Sequence, residues 1–182
     1  MSFCEDCALR LFNIKHYNLH GVGNPYFGKC IIVPNVDYNA YKKGSMDFSS
    51  QVDIIRSVLF PTGEFDDLYI APMIRCSLSV GCEITEDIIH RCLQYFALDV
   101  SKYNYKNILL LGDAARHFLQ CDITSNLDNT IISPNNRFYN VNYSPLIKYI
   151  DEEKFNTFKT YLRKWYSSCN IGCFPYKQYI RL

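Results

Sequence analysis

Residues 108–120 read ILLLGDAARHFLQ. The apolar run Ile108–Leu111 is too short for a helix and reads as a buried strand. Gly112 stops it, and Asp113 stands as the cap of a helix running through Gln120. A strand that turns at once into a helix is the repeating unit of an α/β domain. Outward from this stretch the unit recurs. Upstream, Cys30–Val33 is an apolar run closed by Pro34, and Leu68–Ile74 is a second strand. Helical spacing links Val52, Ile55, Val58 and Leu59 within Ser49–Leu59. Thr85 reads as an N-cap with Glu86 and Asp87 in the first turn, and Ile88, Ile89, Cys92, Leu93 and Phe96 share one helix face. Downstream, Thr130–Ser133 or Phe138–Val141 supplies a fourth strand, and Phe155, Phe158, Leu162 and Trp165 mark an amphipathic last helix. Residues 1–29 and 35–47 read as loops, with turns at GVGNPYFG, residues 21–28. The expectation is one domain over residues 1–182, a three-layer α/β/α sandwich with a central four-stranded parallel sheet. Such sheets hold ligands at the carboxyl ends of their strands.

Composition bounds the rest. Of 182 residues, 48% are hydrophobic and 20% charged, a globular balance. A net charge of +1 excludes a non-specific polycation, so any nucleic acid would meet a local patch. No apolar run approaches the roughly 18 residues of a membrane span. The start, MSFCEDCALR, has no charged segment followed by an apolar one, so no secretory leader is expected. The expected setting is cytoplasmic, in a bacterial or viral context, with a monomer as the default and no membrane partner. In a reducing compartment nine cysteines point to metal binding or buried thiols rather than disulfides.

Cys4 and Cys7 form a CxxC, Cys76 follows the second strand, and Cys92 lies inside a helix. Four thiolates that can meet in space are what an iron–sulfur cluster requires. Zinc at the CxxC, or Cys76 and Cys92 as core residues, are the alternatives. Cys30 and Cys121 read as core, Cys82 falls outside the pattern, and Cys169 with Cys173 is either a second metal pair or an ordinary tail. His16, His20, His90 and His117 show no ligand spacing and read as structural, with His20 beside the glycine-rich turn the most open.

The order CEDCAL, GVGNP, LYIAPMIRC, TEDIIHRC, ILLLGDAA and NVNYSPL resembles the family-4 uracil-DNA glycosylases over residues 1–165. The resemblance implies a uracil-DNA glycosylase-like fold, DNA as partner, and a [4Fe–4S] cluster held by Cys4, Cys7, Cys76 and Cys92. It also shows where the chain departs from the family. The catalytic GEAPG motif falls on Pro34 to Tyr38, so the glutamate becomes Asn35, which can orient a water but cannot take its proton. Asp37 is the one carboxylate of this loop, either a base or cation stabiliser or an Asx-turn residue. Tyr38 would wall the pocket, and Phe48 matches the phenylalanine that stacks on an extruded base, with a core role as its alternative. The asparagine that reads uracil becomes Pro72, which offers no hydrogen bond. The histidine that stabilises the departing base becomes Ser144, a neutral donor. Leu146 or Ile147 would fill the gap left by a flipped nucleotide or start a helix, and Lys42, Lys43, Arg137 and Lys148 are the expected phosphate contacts.

Two polar uracil readers are replaced while a stacking aromatic and water-handling groups remain. The expected activity is therefore cleavage of the N-glycosidic bond of a flipped-out modified pyrimidine, leaving an abasic site, with a role against phage DNA as one setting. A catalytically silent DNA-binding or replication subunit is the alternative from a different class, and ordinary uracil removal or a decoy without DNA binding are the others.

Overall fold

The computed structural model describes residues 3–13, 15–61, 67–78, 83–133 and 135–168 and the strand backbone Tyr176–Tyr179. Cys82, Cys169 and Cys173 lie outside the described residues. Strand β1 (Val22–Gly23) precedes β2 (Lys29–Val36), β3 (Tyr69–Ser77), β4 (Asn107–Leu111), β5 (Thr130–Ile132), β6 (Phe138–Asn142) and β7 (Tyr176–Tyr179). The helices are α1 (Ala8–Phe12), α2 (Tyr38–Lys43), α3 (Ser50–Leu59), α4 (Glu86–Tyr103), α5 (Asp113–Leu119) and α6 (Glu152–Ser167).

The expected four-stranded, purely parallel sheet is overturned. The strands form one seven-stranded mixed sheet in the order β1-β3-β2-β4-β6-β5-β7. β3, β2, β4 and β6 run parallel, but β1 pairs antiparallel with β3 and β5 antiparallel with β6, while β7 adds parallel to β5. The physical reason is length. β1 spans two residues and β5 three, too few for a period-two pattern to register. Thr130 and Phe138 thus both begin strands where one was expected, and the hairpin-like β5 returns against β6.

Alternation along the strands divides the core. Ile31, Val33, Leu109 and Leu111 pack with Val52, Ile55 and Val58 of α3 and with Phe158, Leu162 and Trp165 of α6. Cys30, Ile32, Ile108 and Leu110 face the other way, against Phe96 and Val100 of α4 and Ala114, Ala115 and Leu119 of α5. Successive strand side chains point to opposite faces, so an unbroken run such as Ile108–Leu111 serves both. Each fully buried side chain of this kind contributes about 1.5–3 kcal/mol.

Two prolines inside strands show how backbone donors are managed. Pro34 does not close β2, which continues to Val36. β4 pairs only with Lys29–Ile32 of β2, so the N–H that proline lacks is not needed at position 34. Pro72 of β3 aligns with Val33 and lies past Tyr69 and Ile70, the residues that β1 covers. Gly112, not Asp113, takes the cap position of α5, at φ +55°. The segment 35–47, expected as loop, contains α2, which starts at the Asp37 cap and ends at Gly44 in the left-handed conformation.

Candidate functional site

Cys4 and Cys7 occupy the turn that enters α1, where the Cys7 N–H donates to the Cys4 carbonyl at 3.2 Å. Cys76 sits near the end of β3, and Cys92 faces it from α4. All four are buried, and Cys7, Cys76 and Cys92 pack with Leu9, Ile74 and Ile88 in one apolar cluster. Burial pushes the Cys76 thiol up to about 12; the Asn18 N–H opposes this, while Cys92, Cys4 and Cys7 add to it. Burial likewise pushes Cys92 up to about 11, opposed by the Arg75 N–H and reinforced by Cys7 and Cys4. Three distant segments therefore bring four thiols within electrostatic reach of one another. Crowded buried thiols ionise only when a cation draws off the charge, and soft sulfur donors with N–H support fit an iron–sulfur cluster or a thiophilic ion. Among the described residues, no group of three or more His, Cys, Asp or Glu is placed so that it could hold a metal ion.

A polar frame that sequence reasoning missed holds these segments together. Asn13, 2% exposed, donates to the Ser77 carbonyl at 3.0 Å and accepts from the Ser77 N–H at 3.1 Å. It also donates to the Leu9 carbonyl at 2.7 Å, closing α1. Arg91 of α4 donates to the Phe3 carbonyl at 3.3 Å, and the Phe3 ring meets Tyr95 edge-on. Arg75, beside Cys76, forms a buried ion pair with Asp99 and lies against the Tyr95 ring. Nothing in the spacing around Asn13 announces its role, since asparagine clamps follow no period.

At the carboxyl ends of β2, β4 and β6 a second constellation forms. A Cβ added at Gly112 would lie 2.8 Å from Ser144 Cβ and 3.3 Å from Pro34 Cγ. Ser144 and Pro34 of β2 thus meet across a glycine. Ser144 Oγ accepts from the Leu146 N–H at 3.3 Å as the cap of the 3-10 turn Pro145–Tyr149, which leaves its own proton to donate. Asn35 is half-buried; its carbonyl accepts from Gln51 Nε2 at 2.9 Å. Asp37 is tied into structure: Oδ1 accepts from the Ala40 N–H at 3.0 Å, and Oδ2 accepts from Ser49 Oγ at 2.7 Å and from the Gln51 N–H at 3.5 Å. Tyr38 and Phe48 flank the Asp37–Ser49 bond in sequence, and both are exposed. Lys43 Nζ stands 5.8 Å from the Phe48 ring centroid, and Lys42 is exposed beside it.

Not every expected site residue joins this rim. Leu146 and Ile147 are half-buried against the α3–α6 core, whereas Tyr149 and Ile150 project into solvent. Lys148 lies beside Tyr149, 5.8 Å from its ring centroid. Pro72 is buried within β3. Arg137 precedes β6 and so lies at the amino end of the strand whose carboxyl end leads to Ser144. There it lines a cleft of about 480 Å³ with Phe96, Phe118 and Tyr139. No helix among the described residues is long and apolar enough to cross a membrane. A scan against protein-family models and a search of curated proteins both return no match for this chain.

Proposed function

We propose that the chain is an iron–sulfur DNA glycosylase of the uracil-DNA glycosylase type, rebuilt to release a modified pyrimidine rather than plain uracil. The observation that carries this reading is the packing of Cys7, Cys76 and Cys92 in one buried cluster of α1, β3 and α4, with buried Cys4 within electrostatic reach of Cys76 and Cys92. A bound [4Fe–4S] cluster would supply cross-links between these segments, with the four thiolates as its ligands. The rim at the carboxyl ends supports the rest. Asn35 orients a water toward the sugar, the Ser144 hydroxyl donates a hydrogen bond to the base as it departs with the bonding electrons, and the proton shed by the added water ends on that base. Tyr38 and Phe48 offer accessible ring faces for a base taken out of the stack. Pro72 supplies no donor, so the edge-reading that selects uracil is missing and a substituted base is admitted. DNA is the partner, in an intracellular setting that keeps the thiols reduced.

One observation favours a catalytically silent DNA-binding subunit instead. The Asp37 carboxylate caps α2 and accepts from Ser49, which leaves the rim without an uncommitted general base. An abasic-site assay separates the two readings. Purified protein is incubated with uracil-containing oligonucleotides and with phage DNA carrying modified cytosines or thymines. Abasic sites on modified DNA alone support the rebuilt glycosylase. Release from uracil alone sinks the altered specificity, and DNA binding without any abasic sites establishes the silent subunit.

A further inference from the structure

Four large apolar side chains project from the carboxyl-end rim. Tyr38 is 68% exposed, Phe48 51%, Tyr149 69% and Ile150 81%. These residues are organised by one framework. The 2.7 Å Asp37–Ser49 hydrogen bond ties the residue before Tyr38 to the residue after Phe48. Asn39 Nδ2 donates to Ser50 Oγ at 3.0 Å, closing the same seam. The turn Pro145–Tyr149 rests through Leu146 and Ile147 on the core that α3 contributes to, and Ser144 at its head meets Pro34 across Gly112. The aromatics therefore stand along a continuous scaffold at the ends of β2 and β6.

Cations accompany them. Lys43 lies over Phe48 and Lys148 beside Tyr149, each at 5.8 Å from the ring centroid, with Lys42 exposed next in sequence. The nearest acids are mostly committed: Asp37 caps α2, Asp47 pairs with Arg56 at 2.9 Å, and Asp151 pairs with Lys154 at 3.1 Å. Glu152 and Glu153, in the first turn of α6, bound the surface on that side. Exposed ring faces interleaved with lysines are the chemistry of unpaired bases on a phosphate backbone. A duplex hides its base faces within the stack and would engage only the lysines.

We infer that this rim docks single-stranded DNA, with Tyr149 as a stacking platform for bases neighbouring the target base held at Phe48. The inference rests on reading the rim as the DNA-facing side. The test is fluorescence anisotropy with the full chain, using a labelled mixed-sequence strand of about 15 nucleotides and its duplex at one salt concentration. The single strand is expected to bind at least about tenfold tighter, and Phe48→Ala and Tyr149→Ala each to weaken it about five- to tenfold. Tyr26→Ala serves as the control for generic adhesion, because Tyr26 is 76% exposed in the turn before the amino end of β2. It leaves affinity unchanged. Duplex binding as tight or tighter overturns the single-strand inference while the glycosylase reading stands or falls on abasic sites. Single-strand preference that survives both alanine variants overturns the stacking assignment. Binding to neither form overturns the inference together with the DNA reading.

Discussion

Asn13 and Ser77 exchange a pair of hydrogen bonds, 3.0 and 3.1 Å long, that staple the N-terminal segment to β3 one residue beyond Cys76. Asn13 is buried and Ser77 half-buried, so deleting the Asn13 amide leaves the partly shielded Ser77 N–H and carbonyl without these partners. Leaving a buried polar group unpaired costs about 1–3 kcal/mol. Asn13→Ala is therefore expected to lower unfolding stability by that amount, read from denaturant melts. It should also expose Cys4 and Cys7 to alkylation in native buffer. Unaltered alkylation rates would show that the clamp does not hold the cysteine turn.

Cys30 provides the internal control for the metal centre. It is fully buried but belongs to a separate cluster, among Ile32, Phe96 and Tyr105. Anaerobically prepared protein should carry iron and acid-labile sulfide and be brown. Serine at any of positions 4, 7, 76 or 92 should abolish both, whereas Cys30→Ser retains them. Zinc in stoichiometric amount, or iron lost equally from the Cys30 variant, would exclude the cluster.

Gly112 holds a φ of +55°, with Ser144 and Pro34 close to where a Cβ would stand. Alanine there meets Ser144 Cβ at 2.8 Å, a contact with a short side chain that has little freedom to retreat. A ψ of −131° puts Gly112 outside the left-handed helical well, in a region that costs a non-glycine residue about 1–3 kcal/mol. Gly112→Ala should destabilise the protein by at least that much and displace the Ser144 hydroxyl. In an active enzyme kcat falls more than KM rises, because a misplaced donor acts on the departing base rather than on binding. A change confined to KM would assign Ser144 to substrate binding instead.

How far these relationships are legible in sequence depends on the signal each one leaves. The long strands and helices declare themselves through periodicity: Ile108–Leu111, the α4 face at Ile88, Cys92 and Phe96, and the α6 face at Phe158, Leu162 and Trp165 all lie where their spacing puts them. β1, β5 and α2 do not, because elements of two to six residues carry too few side chains to show a period. At the site, residue type was readable and posture was not. Asp37 reads equally as a base or a cap until its partners Ala40 and Ser49 are seen. Leu146 and Ile147 read in sequence equally as wedges for a flipped nucleotide's gap or as core residues at a helix start; a 3-10 turn sets them half-buried against the core and leaves Tyr149 and Ile150 outside. Arg137 was grouped with the lysines by charge, but strand direction puts it at the far end of β6.

Asp151 caps α6, and the Lys154 N–H donating to its carboxylate at 3.0 Å holds that carboxyl below its ordinary value of 3.8. A depressed folded-state value contributes stability above the unfolded one and loses it as pH falls through the folded one. The cap should thus weaken as pH drops below about 4. Thermal melts at pH 5 and pH 3 check this. Asp151→Asn, a neutral cap, should show a shallower acid loss than the parent protein. Equal losses in both would place the acid sensitivity elsewhere.

Asp37 is either the general base of an active enzyme or a structural cap, and two substitutions divide its roles. Its Oδ1 caps α2 and its Oδ2 receives the Ser49 proton at 2.7 Å. Alanine removes both and should cost about 1 kcal/mol or more through the cap alone. Asparagine keeps a capping oxygen but cannot carry negative charge or accept a proton at neutral pH. If the carboxylate serves structure only, Asp37→Asn and Ser49→Ala should lower stability modestly and leave the rate of abasic-site formation within about twofold, which is RT ln 2 or roughly 0.4 kcal/mol. If Asp37 is the general base, Asp37→Asn should lower that rate at least a hundredfold, the size typical of positioned proton transfer. Ser49→Ala would then change it far less, since the carboxylate remains. Single-turnover release of the base, measured beside the melting curve of each variant, separates a lost base from a loosened helix.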